Sequence, residues 1–344
     1  GKRDQKCSVP LPLCRYRWRF GGHDIYRPAA VLASDSETSF ARYRLIIPQP
    51  MHHLRQYLAM SILVLGCAHL DANEPELANP NFRFGNATKH LYKSTGSARL
   101  HLHCFFPPNH RSSDKRAAIV FFFGGSWING TPQQFVPHCR HLASRGMVGI
   151  TAEYRVKSRH GTSPFECVQD GKSAIRWLRR QATHLGIDQG RIAAGGGSAG
   201  GHVAAVAGNV RGLEDPNEDT SISSQPDALV LFNPVYDNGP GGYGHRQMQD
   251  RWRDISPLHN IRRGAPPTVV FLGTKDQLIP VSTAEKYKTL MVKAGSRCDL
   301  HLYENQTHGF FNWGRKNGRY AETLMAMDEF LVSLGWLAST EHSE

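Results

Sequence analysis

The run Gly195-Gly-Gly-Ser198-Ala-Gly-Gly201 carries the strongest chemical signal in the chain. Within it, Gly196–Gly200 has the form G-x-S-x-G, after the short apolar segment Arg191–Ala194 and at the start of the helix-like Ala199–Asn209. A serine on a sharp strand-to-helix turn has its Oγ pushed above a sheet, and glycines flank it because side chains there would collide. The helix N-terminus behind it offers unpaired N–H groups and a positive dipole end to a developing oxyanion, with the Ala199 N–H as the first donor. This is the setting of a nucleophile. The rival use of such glycines, cradling a phosphate, needs G-x-G-x-x-G at the start of a βαβ unit or a Gly-Lys-Ser/Thr loop. The turn lies mid-chain, and Gly171-Lys172-Ser173 falls inside an expected helix.

A nucleophilic serine needs a base, an acid to orient the base, and donors for the oxyanion. Phe121-Phe-Phe-Gly124-Gly125-Ser126-Trp127 ends an apolar strand upstream, and its two glycines allow the backbone to approach a substrate closely. This Gly-Gly loop is therefore the expected partner of Ala199 in an oxyanion hole. Downstream, Asp276 lies in Gly273-Thr-Lys-Asp-Gln-Leu-Ile-Pro280, directly after the strand Thr268–Leu272. His308 lies in a loop after the strand Cys298–Tyr303, with Gly309 allowing a tight turn. Glu304 competes as the acid but adjoins the strand end, so Asp276 is preferred. Ser198, Asp276 and His308 would then sit at one edge of a sheet as nucleophile, orienting acid and base. Trp127, Phe310 and Trp313 flank these motifs and either line an acyl pocket or pack the core.

The elements that must position these residues alternate. Residues 99–106, 117–123, 147–152, 191–194, 228–232, 268–272 and 298–303 read as strands, several of them continuous apolar runs of the kind covered on both faces. Residues 138–145, 164–185, 199–209, 282–294 and 321–334 read as helices, with apolar residues recurring at helical spacing. Such alternation implies a mostly parallel sheet flanked by helices, the α/β class. One domain from about residue 80 to 340 is expected.

Composition agrees. Of 344 residues, 40% are hydrophobic and 20% charged, which excludes a mainly disordered, collagenous or coiled-coil protein. The formal net charge of +12 is concentrated toward the N-terminus, and no basic run with interleaved aromatics suggests nucleic-acid binding. The seven cysteines include no C-x-x-C pair and the 18 histidines no H-E-x-x-H, so neither a metal nor a cofactor is expected. Residues 1–72 read as an extension outside the domain. Within them, residues 51–72 have the form of a secretory signal: Met51, one Arg, then the apolar run Leu58–Ala68, too short for a transmembrane helix. Translation starting at Met51 would mean a periplasmic or extracellular bacterial protein, and otherwise a cytoplasmic one. Val64-Leu-Gly-Cys67 weakly resembles a lipobox, so a membrane partner is expected only through lipidation of Cys67.

From about residue 90 to 340 the chain resembles α/β-hydrolase-fold serine esterases, closest to the branch of hormone-sensitive lipase and of acetylxylan and feruloyl esterases. Their H-G-G-x-W, G-x-S-A-G-G, D-x-x-(I/V/L)-P and H-G-F segments correspond to Phe123–Trp127, Gly196–Gly201, Asp276–Pro280 and His308–Phe310. Phe123 departs from the pattern, standing where many relatives have His. The resemblance implies an α/β-hydrolase fold, the order Ser198, Asp276, His308, oxyanion N–H groups from Gly124 and Gly125 together with Ala199, and a carboxylesterase. It also implies a small ester or acylated carbohydrate as substrate, with acetyl or feruloyl groups on plant or algal polysaccharide as the expected case. Two rival readings are a peptidase on the same fold, which would bring a β-propeller for which residues 1–100 are too few, and a non-catalytic binding protein, which would have lost a triad member. Oligomeric state is not readable.

Overall fold

The computed structural model describes residues 84–339. The extension 1–72, the signal-like segment 51–72 and Cys67 lie outside the described residues.

Eight strands form one sheet in the order β1-β2-β4-β3-β5-β6-β7-β8. They are β1 (Thr88–Thr95), β2 (Ala98–Phe105), β3 (Arg116–Phe122), β4 (Val148–Ala152), β5 (Ile187–Gly197), β6 (Ala228–Phe232), β7 (Thr268–Gly273) and β8 (Cys298–Tyr303). β1, β2 and β4 pair antiparallel; all pairs from β4 through β3 to β8 are parallel. Every residue of β4, β6 and β7 is buried. The two-residue period sorts them: Val120, Phe122, Leu229, Leu231 and Leu272 enter one core, and Ile119, Phe121, Val230, Phe232 and Phe271 the other.

The five longer helices are α1 (Val136–Ser144), α2 (Pro164–Gln181), α3 (Ala199–Asn209), α4 (Val281–Lys293) and α5 (Tyr320–Ser333). α2 starts where the sequence says it should. Ser163 caps it, its Oγ accepting the Phe165 N–H at 3.3 Å, while Glu166 accepts the Ser163 N–H at 2.8 Å and Pro164 supplies a preset φ. It ends at Gln181, four residues short of the expected Leu185. None of the described helices is long and apolar enough to cross a membrane.

β1 escapes the sequence pattern. Its face toward the molecule carries Lys93, which is buried against α2. Lys93 Nζ meets Asp170 Oδ1 at 3.0 Å, Asp215 Oδ2 at 2.8 Å and Ser173 Oγ at 2.9 Å. A buried lysine tolerates this only because both carboxylates neutralise it.

Two buried histidines make the fold acid-sensitive. His138 on α1 is boxed by rings of Phe121, Phe135, Phe232, Phe311 and Tyr320, and burial, helped by the charge of His141, pushes it down to about 3. Burial likewise pushes His202 on α3 down to about 4, against the hydrogen bonds it gives to Ile255 and Asn238. Both are neutral in the fold, whereas an unfolded histidine titrates near 6.5. Their stabilisation is therefore complete above about pH 6.5 and declines as pH falls toward the folded values, by about 1.4 kcal/mol per pH unit for each. Urea midpoints measured from pH 7 to 5 should fall, and His138→Phe, which removes no hydrogen bond, should flatten that slope. An unchanged slope would contradict the assignment.

Candidate active site

The nucleophile turn is built by crowding. β5 ends at Gly197 and α3 starts at Ala199, leaving Ser198 alone between them at φ 52°, ψ −119°. A side chain at such a φ costs roughly 1–3 kcal/mol and persists only where its surroundings impose it. They do. The Ser198 N–H donates to the Phe232 carbonyl at 3.0 Å, and its own carbonyl accepts from His202 N at 3.0 Å and Val235 N at 3.2 Å. The flanking glycines are required by the neighbouring strand. A Cβ on Gly196 would lie 2.5 Å from the Phe122 carbonyl oxygen, and one on Gly200 would collide with the same oxygen. β3 is thus pressed against the turn, which brings Gly124 beside Ser198: a Cβ built on Gly124 would be 3.4 Å from that of Ser198.

Asp276 and His308 meet as expected. β7 ends at Gly273, and the turn after it closes through the Asp276 N–H to the Gly273 carbonyl, 3.1 Å. The Asp276 side chain is fully buried. Its Oδ1 accepts the N–H groups of Leu278 at 2.9 Å and Ile279 at 3.0 Å. Its Oδ2 faces His308 Nδ1 at 2.8 Å. Three hydrogen bonds thus reach the carboxylate, at least one on each oxygen, which is how it survives burial. Burial keeps the nearby Tyr236 hydroxyl well above the usual phenol range, with Tyr287, Cys298 and, least, Asp276 adding to it. Glu304, the competing acid, is exposed and lies on the outer side of β8.

Ser198 reaches this pair through β6. Phe232 accepts from Ser198, and the next residue, Asn233, is bonded to both His308 and Gly309. Among the described residues no hydrogen bond joins the Ser198 hydroxyl to His308. Such contacts often tighten only when substrate arrives.

Gly124 does not serve as an open donor. Its N–H points at Gln134 Oε1, 2.7 Å away. Gln134, in the single turn before α1, folds back over the loop and occupies it, a contact that no strand-end pattern encodes. Among the described residues, the N–H groups of Gly125, Ser126 and Ala199 meet no acceptor. Gly125 sits at φ +118°, and its loop is tied down by Ile128 and Asn129, whose N–H groups both donate to its carbonyl. Phe123, in place of the usual His, stacks on Tyr154 at 4.1 Å, and the Tyr154 hydroxyl donates to the Phe123 carbonyl at 2.6 Å.

The aromatic candidates divide. Trp127 is 1% exposed, edge-on to His202 with ring centres 5.0 Å apart, and Phe310 is fully buried against Tyr303 and Phe311. Both pack the core, because a residue beside a tightly turned loop points inward. Trp313 is 45% exposed. A segment after β6 roofs the region: Tyr243 OH pairs with Ser126 Oγ at 2.6 Å, and Asn238 donates to the Tyr243 carbonyl at 2.9 Å. Cys104, Cys139, Cys167 and Cys298 are buried free thiols, so none pairs with another. Among the described residues no cluster of three or more His, Cys, Asp or Glu could hold a metal ion. The residues that sequence reasoning missed are Asn233, Gln134 and Asn312. An Asn before a Pro at a strand end was the only available signal, and it reads as an ordinary turn.

Known proteins resemble this chain in sequence and fold. Residues 102–237 match the BD-FAE family model and residues 241–338 the dienelactone hydrolase family model. The chain is 29% identical over 222 residues to esterase LipC of Mycobacterium tuberculosis, covering 56% of this chain and 52% of that protein. It is 26% identical over 243 residues to carboxylesterase NlhH of the same species, covering 63% and 73%. The chain spans about half the length of LipC, LipQ and LipM, three of the curated relatives it matches. Among solved structures, Thermogutta terrifontis esterase 2 phosphoramylated by tabun superimposes with a TM-score of 0.73 at 45% identity, over 75% of this chain and 98% of that one. The same esterase with propionate bound gives 0.71 at 44% identity, also over 75% and 98%. Likeness of that degree along nearly the whole of a solved esterase, on a sheet whose strand ends carry Ser198, Asp276 and His308 in that order, makes this chain a member of the α/β-hydrolase-fold serine esterases.

Proposed function

We propose that the protein hydrolyses carboxylic esters of short acyl groups by two-step acyl transfer at Ser198. The observation that carries this reading is the His308–Asp276 contact of 2.8 Å, at the same edge of the parallel sheet as a serine held at positive φ. His308 Nε2 takes the Ser198 proton as Oγ attacks the ester carbonyl carbon. The negative charge on the former carbonyl oxygen is met by the N–H groups of Gly125, Ser126 and Ala199. Collapse breaks the ester C–O bond, and Nε2 returns the proton to the departing alcohol. Water then attacks the acyl-enzyme by the same steps and releases the acid.

A small acyl group is favoured by the relative: structures of Thermogutta terrifontis esterase 2 are described with propionate and with butyrate bound. The alcohol is assigned on resemblance alone to a carbohydrate, with acetyl or feruloyl decoration of polysaccharide as the target. The test is a series of p-nitrophenyl esters from acetyl to decanoyl, alongside acetylated xylan and a feruloylated sugar. We expect kcat/KM to peak between acetyl and butyryl, with acid released from at least one of the two carbohydrates. A peak at octanoyl or longer would overturn the acyl assignment, and inert carbohydrates the alcohol assignment. That esterase is phosphylated by tabun, paraoxon and sarin. Covalent labelling of this chain by a fluorophosphonate probe would accordingly separate an active serine from a binding scaffold.

A further inference from the structure

We infer that Asn233 is a positioning residue that dictates which nitrogen of His308 carries the proton, and that Gln134 and Asn312 extend its action to the oxyanion loop. This rests on the acyl-transfer reading above.

Asn233 follows β6 directly, is fully buried, and adopts φ 32°, in the left-handed region. Its backbone N–H donates to Phe271 at 2.7 Å, which fixes where the side chain starts. Its Oδ1 accepts the Gly309 N–H at 3.0 Å, and its Nδ2 lies 3.3 Å from His308 Nε2. A backbone N–H can only donate, so the amide oxygen must face Gly309 and the amide NH2 must face His308. That NH2 can only donate in turn. Nε2 must therefore present its lone pair, and the ring proton sits on Nδ1, toward Asp276 Oδ2. A general base needs this tautomer, and here the Gly309 N–H, acting through Asn233 on Nε2, enforces it from the side opposite the Asp276 carboxylate.

Gly309 continues the chain through its other peptide unit, across its Cα. The Gly309 carbonyl accepts from Asn312 Nδ2 at 2.9 Å, Asn312 Oδ1 accepts from Gln134 Nε2 at 2.9 Å, and Gln134 Oε1 accepts the Gly124 N–H. Read from Gly124, every hydrogen bond donates in the same direction: to Gln134, Asn312, Gly309, Asn233, His308 and finally the Asp276 carboxylate. Aligned bonds of this kind polarise one another, and the orientation of each amide is fixed by its neighbours. The oxyanion loop and the base loop, far apart in sequence, are thereby held in one register. Nε2 has one lone pair, so when it takes the serine proton the Asn233 N–H is displaced from it and loses its acceptor. The protonated ring gains nothing from Asn233 and is left to hand its proton to the leaving alcohol.

The test combines kinetics on p-nitrophenyl acetate with the 15N spectrum of the imidazoles, the His308 signals being identified by their loss in His308→Gln. Asn233→Leu, of similar shape but without polar atoms, should lower kcat by about 10² with KM nearly unchanged, the scale expected when a reacting group loses its alignment. Asn312→Ala, which leaves Asn233 in place, should lower kcat by a smaller factor, again without raising KM. Asn233→Asp keeps an acceptor for Gly309 but turns a second acceptor toward His308, so its Nε2 should show a proton where the parent shows a bare nitrogen. A purely structural role would leave that spectrum unmoved. An Nε2 that stays bare in Asn233→Asp, or kcat in folded Asn233→Leu close to the parent's, overturns the inference. The spectrum reads the tautomer without turnover, so an inactive parent would sink the esterase reading and leave this one to stand or fall separately.

Discussion

Ser198→Ala is expected to remove turnover of p-nitrophenyl acetate, with kcat lower by on the order of 10⁶, the loss seen when a hydrolase is deprived of its nucleophile. No other hydroxyl can take its place. The neighbouring residues in the turn are glycines and an alanine, and the Ser126 hydroxyl is engaged with Tyr243. The substitution leaves the fold intact, because the positive φ is imposed through the backbone bonds to Phe232, His202 and Val235 and a methyl group strains it no more than the serine side chain does. The thermal melt should therefore be unchanged while labelling by a fluorophosphonate is lost. Turnover near the parent's with labelling retained would end the assignment of Ser198.

Asp276→Asn should be nearly as damaging, lowering kcat by about 10⁴ with KM little altered, because the loss lies in proton handling and not in binding. The Leu278 and Ile279 N–H groups both require an oxygen, so they hold the new amide with its oxygen toward them. Its NH2 is then left facing His308 Nδ1. Nδ1 then faces a donor just as Nε2 already faces the NH2 of Asn233, so the ring proton has no acceptor on either side and no tautomer is held. A base without a fixed lone pair toward the serine takes its proton poorly. Activity of the folded variant within about tenfold of the parent would rule out Asp276 as the orienting acid.

The chemistry was more legible than the scaffold that tunes it, for physical reasons. Gly196, Ser198 and Gly200 are readable because the contact of β3 with the turn excludes a Cβ, and only glycine answers that demand. β3, β4, β6 and β7 are readable because burial on both faces leaves unbroken apolar runs. β1 was missed because only two of its residues are buried, adjacent at a register shift instead of alternating, and one of them is a lysine neutralised by carboxylates on α2 and on the loop that follows α3. The Gly124 donor was misassigned because the group that occupies its N–H lies ten residues on, in an element whose fold-back no local pattern records. Trp127 and Phe310 looked like pocket walls by adjacency to the motifs, but adjacency along a sharply turned chain sends alternate side chains into the core. Asn233 shows the limit most plainly. One amide reads as a turn residue until the partner that fixes its orientation, 76 positions away, is in view.

The crowding around Gly196 and Gly200 also says where this enzyme can be redesigned. The floor beneath Ser198 has no spare volume, since a single methyl group at either glycine meets a main-chain carbonyl that belongs to the neighbouring strand. Directed evolution toward bulkier acyl donors should therefore leave residues 196–201 alone. Diversity belongs at Tyr243 in the segment after β6, whose hydroxyl meets Ser126 across a seam between loops instead of against an immovable strand.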